Sequence, residues 1–205
     1  MYERSIKRLL DVAISLVSLI VLSPLFLIIA IAIKLGSRGP VIFKQKRYGR
    51  NKTFFEICKF HTMRTDAPKD VPTNDLRGAK NYITPVGKFL RVTSLDELPQ
   101  LWNILKGDMS LIGPRPALWN QYDLMELRDK YGASMIRPGL SGWAQVNGRD
   151  YLSLDLDKKA RRDGEYANNI SFAFDLKCFL LTIVKVFNRQ GIVEGADENK
   201  TEAKP

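Results

Sequence analysis

Histidine and cysteine are almost missing from this chain: 205 residues contain one histidine and two cysteines. Neither Cys58 nor Cys178 has a second Cys or His at ligand spacing, which excludes a zinc centre built on them. Unpaired thiols of this kind suit a reduced, cytoplasmic setting. A P-loop, a Gly-x-Gly-x-x-Gly run and internal repeats are absent too, so the common nucleotide-binding folds and solenoids drop out. Acidic residues are scarce at one end. Residues 1–52 hold ten of the 32 Lys and Arg but only two of the 22 Asp and Glu, so most of the +10 formal charge belongs there. Nucleic acid selects a basic face on the folded domain, and that partner is excluded. A basic cluster beside an apolar run suits a phospholipid membrane.

There is one long apolar run. From Val12 to Ile33 no residue is charged. As one straight helix it would extend about 33 Å, against a bilayer core of about 30 Å. Ser23-Pro24 interrupts it near the middle, where a proline removes a backbone hydrogen bond and kinks the helix. The Ser23 hydroxyl is placed to compensate a freed carbonyl. Arg4, Lys7 and Arg8 precede the run, and Lys34, Arg38, Lys44, Lys46, Arg47, Arg50 and Lys52 follow it. Positive charge prefers the cytoplasmic side, so a re-entrant helix–break–helix satisfies both flanks. A proline-kinked span is the alternative. The run is too long for a signal peptide and no small-x-small site follows it.

The residues that carry chemistry lie between 91 and 116. Ser94 and Glu97 fit a capping box, which puts Asp96 in the first turn of a helix over about 96–106. Adjacent positions do not share a helix face, so Asp96 and Glu97 have separate roles. Downstream, Gly113-Pro114-Arg115-Pro116 restricts one arginine between two prolines, and arginine offers a planar fork suited to phosphate. Taken singly, these segments are an ordinary helix start and an exposed turn. Together they suit chemistry on a phosphate-bearing anion.

Five linked motifs in this order resemble the monotopic phosphoglycosyl transferases, the bacterial sugar transferase family. They are Arg91-x-x-Ser94-Leu95-Asp96-Glu97-Leu98-Pro99-Gln100-Leu101-Trp102-Asn103, Lys106-Gly107-Asp108-Met109-Ser110, Gly113-Pro114-Arg115-Pro116, Arg137-Pro138-Gly139-Leu140-Ser141-Gly142 and Gln145-Val146-Asn147-Gly148-Arg149. The resemblance runs from the apolar segment to about Arg189. One departure shows: the family usually has Lys-Phe-Arg or Lys-Phe-Lys before Ser/Thr-Met, and here the run is Lys59-Phe60-His61-Thr62-Met63. His61 is expected to be partly exposed and polar, not a base.

The resemblance implies transfer of a sugar 1-phosphate from a UDP-sugar to polyprenyl (undecaprenyl) phosphate, with release of UMP. It implies Asp96 as the nucleophile, a covalent phosphosugar-aspartate intermediate, and a place on the cytoplasmic face of the bacterial inner membrane. Phosphoryl transfer depends on positioning and charge neutralisation, and Mg²⁺ takes one or two carboxylates plus substrate phosphates. Asp96 and Glu97 are the expected Mg²⁺ ligands. Lys59, Arg91, Arg115 with Pro114 and Pro116, Arg137, Asn147 and Arg149 are the expected substrate-binding residues, the last two for the nucleotide. A non-catalytic module that binds anionic lipid or nucleotide-sugar is the alternative, as is a glycosyltransferase that releases UDP. A homodimer is compatible with the resemblance.

The expected fold is mixed α/β and mainly helical. Residues 1–36 form the membrane-embedded helix pair, 37–190 a small cytoplasmic catalytic domain, and 191–205 a polar, disordered tail. Residues 41–46 and 53–60 read as strands joined by a turn at 49–52, and 66–81 as a mobile loop near the site. Helical patterns follow at about 117–131 and 155–168. From Ser171 to Arg189, a stripe of Phe172, Leu176, Phe179, Leu180, Ile183 and Phe187 marks either a core-facing or an interfacial amphipathic helix.

Overall fold

The computed structural model describes residues 2–68, 70, 71, 76, 78–148 and 155–187. The apolar run forms two helices, α1 (Lys7–Val21) and α2 (Ser23–Gly36), bent by 62° at Ser23-Pro24. Pro24 cannot donate to the Ile20 carbonyl four residues back. The Ser23 hydroxyl donates to it instead at 2.8 Å, the compensation expected from the sequence. Pro24 itself opens α2, where its fixed φ suits the first turn. Among the described residues no single helix is long and apolar enough to cross a membrane, and the bent pair passes only when taken together.

One face of the pair packs inward. Ile29 and Ile33 meet Phe60 and Leu90, while Leu19 and Leu22 meet Leu101, Ile104 and Met109. The other face leaves Val17, Ile20, Val21, Leu27, Ile28 and Leu35 exposed. Charge fixes α1 as well. Lys7 Nζ lies 2.6 Å from Asp175 Oδ2, with both side chains buried, and Tyr2 and Tyr166 donate to the same carboxylate. Asp11 accepts from the Leu111 amide at 2.9 Å and from the Ser110 hydroxyl at 3.1 Å. Arg8 donates to the Ile104 and Leu105 carbonyls at 2.6 and 2.8 Å. Lys7 and Arg8, read from sequence as part of a basic flank on the cytoplasmic side, are engaged by the protein.

The hairpin is as expected: β1 (Ile42–Tyr48) and β2 (Phe54–Phe60) pair antiparallel from Ile42↔Phe60 to Tyr48↔Phe54. His61, at its end, corrects the sequence reading. It is buried, because its amide donates to the Val41 carbonyl and its ring stacks parallel to Phe43. Three helices, α3 (Pro85–Val92), α4 (Gln100–Lys106) and α5 (Tyr122–Lys130), follow, with β3 (Ser110–Ile112) between α4 and α5. Beyond α5 come β4 (Gly139–Ser141), α6 (Trp143–Val146), α7 (Leu156–Asn168) and α8 (Phe172–Phe187). Strands β3 and β4 pair in parallel, Ser110 with Gly139 and Ile112 with Ser141. This pair, α3 and α6 are new relative to the sequence reading.

Helix α8 turns the sequence-derived stripe outward. Phe174, Cys178 and Leu181 pack on Ile112, Trp143 and Tyr166, whereas Phe172, Leu176, Phe179, Leu180 and Ile183 are exposed. That arrangement favours the interfacial over the core-facing reading. The loop expected over 66–81 contains a 3₁₀ turn at Ala79–Tyr82, and its residues 69, 72–75 and 77 lie outside the described residues. Arg149 and the tail from 191 also lie outside them.

Removing one partner of a buried ion pair costs about 3–5 kcal/mol, because the other charge stays buried and unpaired. Asp175→Ala is therefore expected to lower the melting temperature by about 6–20 °C. Lys44→Ala, which loses an exposed pair with Glu56, is expected to change stability by less than about 0.5 kcal/mol. Thermal melts of the three proteins in detergent check the contrast, and equal losses would refute it.

Candidate active site

Asp96 and Glu97 lie in a 3₁₀ turn, Leu95–Glu97, between α3 and α4. The capping box expected at Ser94 does not form. Ser94 has a left-handed backbone, φ +56°, its side chain makes no cap, and α4 begins only at Gln100. The physical reason is competition for Glu97. A carboxylate that reached back to cap Ser94 would leave two nearby cations without their partner.

Those cations are Lys59, from the end of β2, and Arg115, from the Pro-Arg-Pro segment. Lys59 Nζ and Arg115 Nη2 donate to Glu97 Oε1 at 2.8 and 2.9 Å. The Glu97 charge raises Arg115 above the usual guanidinium range, while burial pulls the Lys59 ammonium down against the attraction of Glu97. Asp96 is different. Burial raises its carboxyl above the ordinary range and Glu97 adds to that, whereas Lys59, Arg91 and Arg115 pull the other way. Asp96 thus feels three cations, while the charge-assisted bonds of Lys59 and Arg115 go to its neighbour.

Several devices hold this arrangement. Asn103 Oδ1 accepts from the Cys58 amide at 2.9 Å and Nδ2 donates to the Glu56 carbonyl at 2.8 Å, which fastens α4 to β2 beside Lys59. Arg91 Nε donates to Thr62 Oγ1 at 2.9 Å. Arg115 rides on two glycine-rich segments packed backbone to backbone. Gly139 donates to the Pro114 carbonyl at 2.9 Å and Gly113 to the Ser141 carbonyl at 2.8 Å. A Cβ on Gly139 would come within 2.1 Å of the Gly113 nitrogen, and one on Gly142 within 2.1 Å of the Gly113 oxygen. The Pro116 carbonyl accepts from Arg47 at 3.0 Å and the Arg115 carbonyl from Arg128 at 3.0 Å.

The structure therefore brings together Lys59, Arg91, Asp96, Glu97 and Arg115, with Pro114 and Pro116 as backbone supports. Two other sequence candidates hold the backbone elsewhere: Arg137 Nε donates to the Gly107 carbonyl at 3.1 Å and Asn147 to the Trp143 carbonyl at 2.8 Å. Sequence reasoning missed Arg47, Arg128 and Asp163, which hold the Pro-Arg-Pro backbone. Arg128 is buried and bonds Asp163 Oδ2 twice, at 2.6 and 2.8 Å. Its only sequence signal is a basic residue at the end of a helical pattern, which is ordinarily a surface feature.

Among the described residues no three His, Cys, Asp or Glu side chains converge to hold a metal ion by themselves. Asp96 and Glu97 fit the other arrangement, in which Mg²⁺ takes one or two carboxylates and completes its shell from substrate phosphates and water. Gln100, buried in the first turn of α4, has an Nε2 without a hydrogen-bond partner among the described residues, a donor suited to an anion.

The neighbouring acids are expected to affect stability in opposite directions. The Asp96 carboxyl titrates higher folded than unfolded, so the fold loses stability as pH rises from the unfolded value through the folded one. Asp96→Asn removes that cost. Glu97→Ala strips the partner from two largely buried cations, at a cost of about 3 kcal/mol. Melts at pH 7 should place Asp96→Asn above the parent and Glu97→Ala well below it. A fall for both would contradict the assignment.

Comparison with known proteins adds a family to this geometry. Residues 2–189 match the bacterial sugar transferase family. Over 190 residues the chain is 40% identical to the UDP-glucose:undecaprenyl-phosphate glucose-1-phosphate transferase of Escherichia coli (strain K12), covering 90% of this chain and 41% of that protein. It is 39% identical over 186 residues to the UDP-N-acetylgalactosamine-undecaprenyl-phosphate N-acetylgalactosaminephosphotransferase of Aeromonas hydrophila, covering 87% and 43%. The chain spans only about two fifths of the length of these two relatives. Against the sugar transferase EpsL of Bacillus subtilis (strain 168) it is 39% identical over 191 residues, covering 91% of this chain and 90% of the other. The chain belongs to the bacterial sugar transferase family.

Proposed function

We propose that this protein is a phosphoglycosyl transferase that moves a sugar 1-phosphate from a UDP-sugar to polyprenyl (undecaprenyl) phosphate and releases UMP. The observation that carries this reading is the division of labour between adjacent acids. Glu97 holds Lys59 and Arg115 by direct ion pairs, and Asp96 stands beside the same cations with its carboxylate available to react. A carboxylate is a nucleophile without a general base, and Lys59, Arg91 and Arg115 oppose the burial that raises Asp96. A carboxylate oxygen of Asp96 bonds to the sugar-bearing phosphorus, and the bond from that phosphorus to the bridging oxygen breaks. The electron pair leaves with UMP. An oxygen of polyprenyl phosphate then attacks the same phosphorus and expels Asp96.

An anion must here approach a dianionic diphosphate, so the barrier is largely Coulombic. Lys59, Arg91 and Arg115 offset that repulsion. Mg²⁺, when held by Asp96 and Glu97, supplies further charge neutralisation at the substrate phosphates. The names of the relatives cover glucose and N-acetylgalactosamine donors, so the donor is best sought with a panel.

The same reading makes α1 and α2 a re-entrant pair in the cytoplasmic leaflet of the bacterial inner membrane, with α8 lying in the interface. Both ends of the pair are tied to one body. Lys7 and Arg8 reach α8 and α4, and Ile29 and Ile33 pack on β2 and α3. A straight span would carry one end about 30 Å away.

Two experiments test these statements. With polyprenyl phosphate and Mg²⁺, UMP release from one or more UDP-sugars is expected, and Asp96→Asn should abolish it. Full activity of that variant, or release of UDP in place of UMP, would sink the mechanism. For topology, Ser5→Cys and Arg38→Cys, each in a background with Cys58 and Cys178 replaced by serine, should react with an impermeant maleimide only from the cytoplasmic side. Periplasmic labelling of either would establish a spanning pair.

A further inference from the structure

The motif Lys106-Gly107-Asp108-Met109-Ser110 stands between the two limbs of the site. One limb is α4, preceded by the turn that bears Asp96 and Glu97; the other is β3, which runs on to Arg115. Gly107 makes the corner between them with φ +103°, a left-handed backbone that favours glycine. Helix α1 crosses this corner. Arg8 donates to the Ile104 and Leu105 carbonyls at 2.6 and 2.8 Å, two of the four carbonyls that close α4. A Cβ on Gly107 would lie 3.3 Å from Arg8 Nη2, so the guanidinium is seated on the corner itself. Three residues on, the buried Asp11 accepts from the Ser110 hydroxyl at 3.1 Å and the Leu111 amide at 2.9 Å. Positions three apart share a helix face. One face of α1 therefore grips residues 104 and 105 before the corner and residues 110 and 111 after it.

We infer that α1 is a splint across the Gly107 corner, and that Arg8 and Asp11 are positioning residues for the ion pair between Glu97 and Arg115. The effect on catalysis rests on the phosphoglycosyl transferase reading. Glu97 lies ten residues before the corner and Arg115 eight after it, yet the two side chains meet at 2.9 Å. On an arm of about 15 Å, the length of ten helical residues, a rotation of about 4° at the corner moves the tip by about 1 Å. A shift of that size takes the Glu97–Arg115 contact beyond hydrogen-bond range. Misplacement by about 1 Å costs on the order of 10²-fold in rate. Arg137 donates to the Gly107 carbonyl at 3.1 Å, but it comes from the segment leading into β4, the partner of β3, and so ties the corner to that limb. Arg8 and Asp11 reach both limbs from one rigid helix. A helix of the apolar anchor is thus part of the active-site frame, although its side chains stand outside the cluster of acids and cations.

The test uses the full chain in detergent with two readouts. In UMP release, Asp11→Ala should lower kcat about 10²-fold, while the KM for the UDP-sugar stays within about threefold. Asp11→Asn keeps an acceptor oxygen for both donors and should recover most of the rate. Arg8→Ala acts on the other limb and should lower kcat on the order of tenfold. Arg8 is only partly buried, so this variant keeps the test open where Asp11→Ala is too damaged to fold. In an Arg115→Gln background, Asp11→Ala should cost less than about twofold, because the residue it positions is gone. A purely structural Asp11 would lose the same factor in both backgrounds, and that result would overturn the proposal, as would loss carried by KM alone. The second readout needs no turnover. In ¹⁵N-arginine NMR, the Arg115 guanidinium signal, assigned by its loss in Arg115→Gln, should show restricted Nη rotation in the parent and Asp11→Asn. Rotation should become free in Asp11→Ala and Arg8→Ala. Restricted rotation in both alanine variants would overturn the splint. If the parent releases no UMP from any UDP-sugar, the reaction reading falls, and the Arg115 signal still decides the splint.

Discussion

Two carboxylates that are neighbours in sequence and largely shielded from water repel each other and lose hydration. They stay ionised only if cations are fixed around them. The ion pairs from Lys59 and Arg115 to Glu97 meet that requirement. Lys59 must arrive at the end of β2, so the hairpin is fastened to α4 through Asn103. Arg115 must arrive from the other side, so it is mounted on glycine-rich backbone where side chains have no room. Glu97 draws these two segments together by pairing with both cations. Its direct bonds leave Asp96 influenced by the same cations but not tied up by them.

The apolar anchor enters this arrangement through polar contacts. A helix that met the body only by aliphatic packing could slide or rotate with little penalty, since such contacts are not directional. Lys7, Arg8 and Asp11 prevent that. Asp11 bonds β3 at Ser110 and Leu111, and β3 leads within a few residues to Gly113-Pro114-Arg115-Pro116. Lys7 reaches Asp175 on α8, whose outward face is apolar. The elements that present apolar surface to the outside are therefore in register with the arginine that binds Glu97. In the proposed reaction that register would fix Asp96 relative to the outward apolar surface.

Local chemistry was legible in the sequence wherever one segment decides its own shape. The proline break, its serine compensation and the hairpin are of that kind, whereas the stripe of α8 left core-facing and interfacial readings open until its packing was seen. What could not be read depends on residues far apart in the chain. Ser94 and Glu97 match a capping box locally, but the cations 38 residues before and 18 residues after Glu97 outbid it. Strands β3 and β4 are three residues each, too short to show alternation, and they exist because the two motifs pair. Arg47 looks like a solvated charge in a basic sequence. Only the fold ties it to the Pro116 carbonyl.

This distribution of charge bears on the order of events. A nucleophile that must receive a phosphoryl group from one substrate and give it to another works best if the two do not compete for the same space. The apolar pair packs on β2, α3 and α4, while α5 and α7 meet through a separate core and the Arg128–Asp163 pair. In the proposed transfer the phosphosugar ester keeps one anionic phosphoryl oxygen, so Lys59, Arg91 and Arg115 face the same single negative charge that the Asp96 carboxylate carried. Departure of UMP then takes away the charge that the donor brought, and a second phosphate meets the cations as the first one did. One set of cations thus suffices for two successive phosphate substrates.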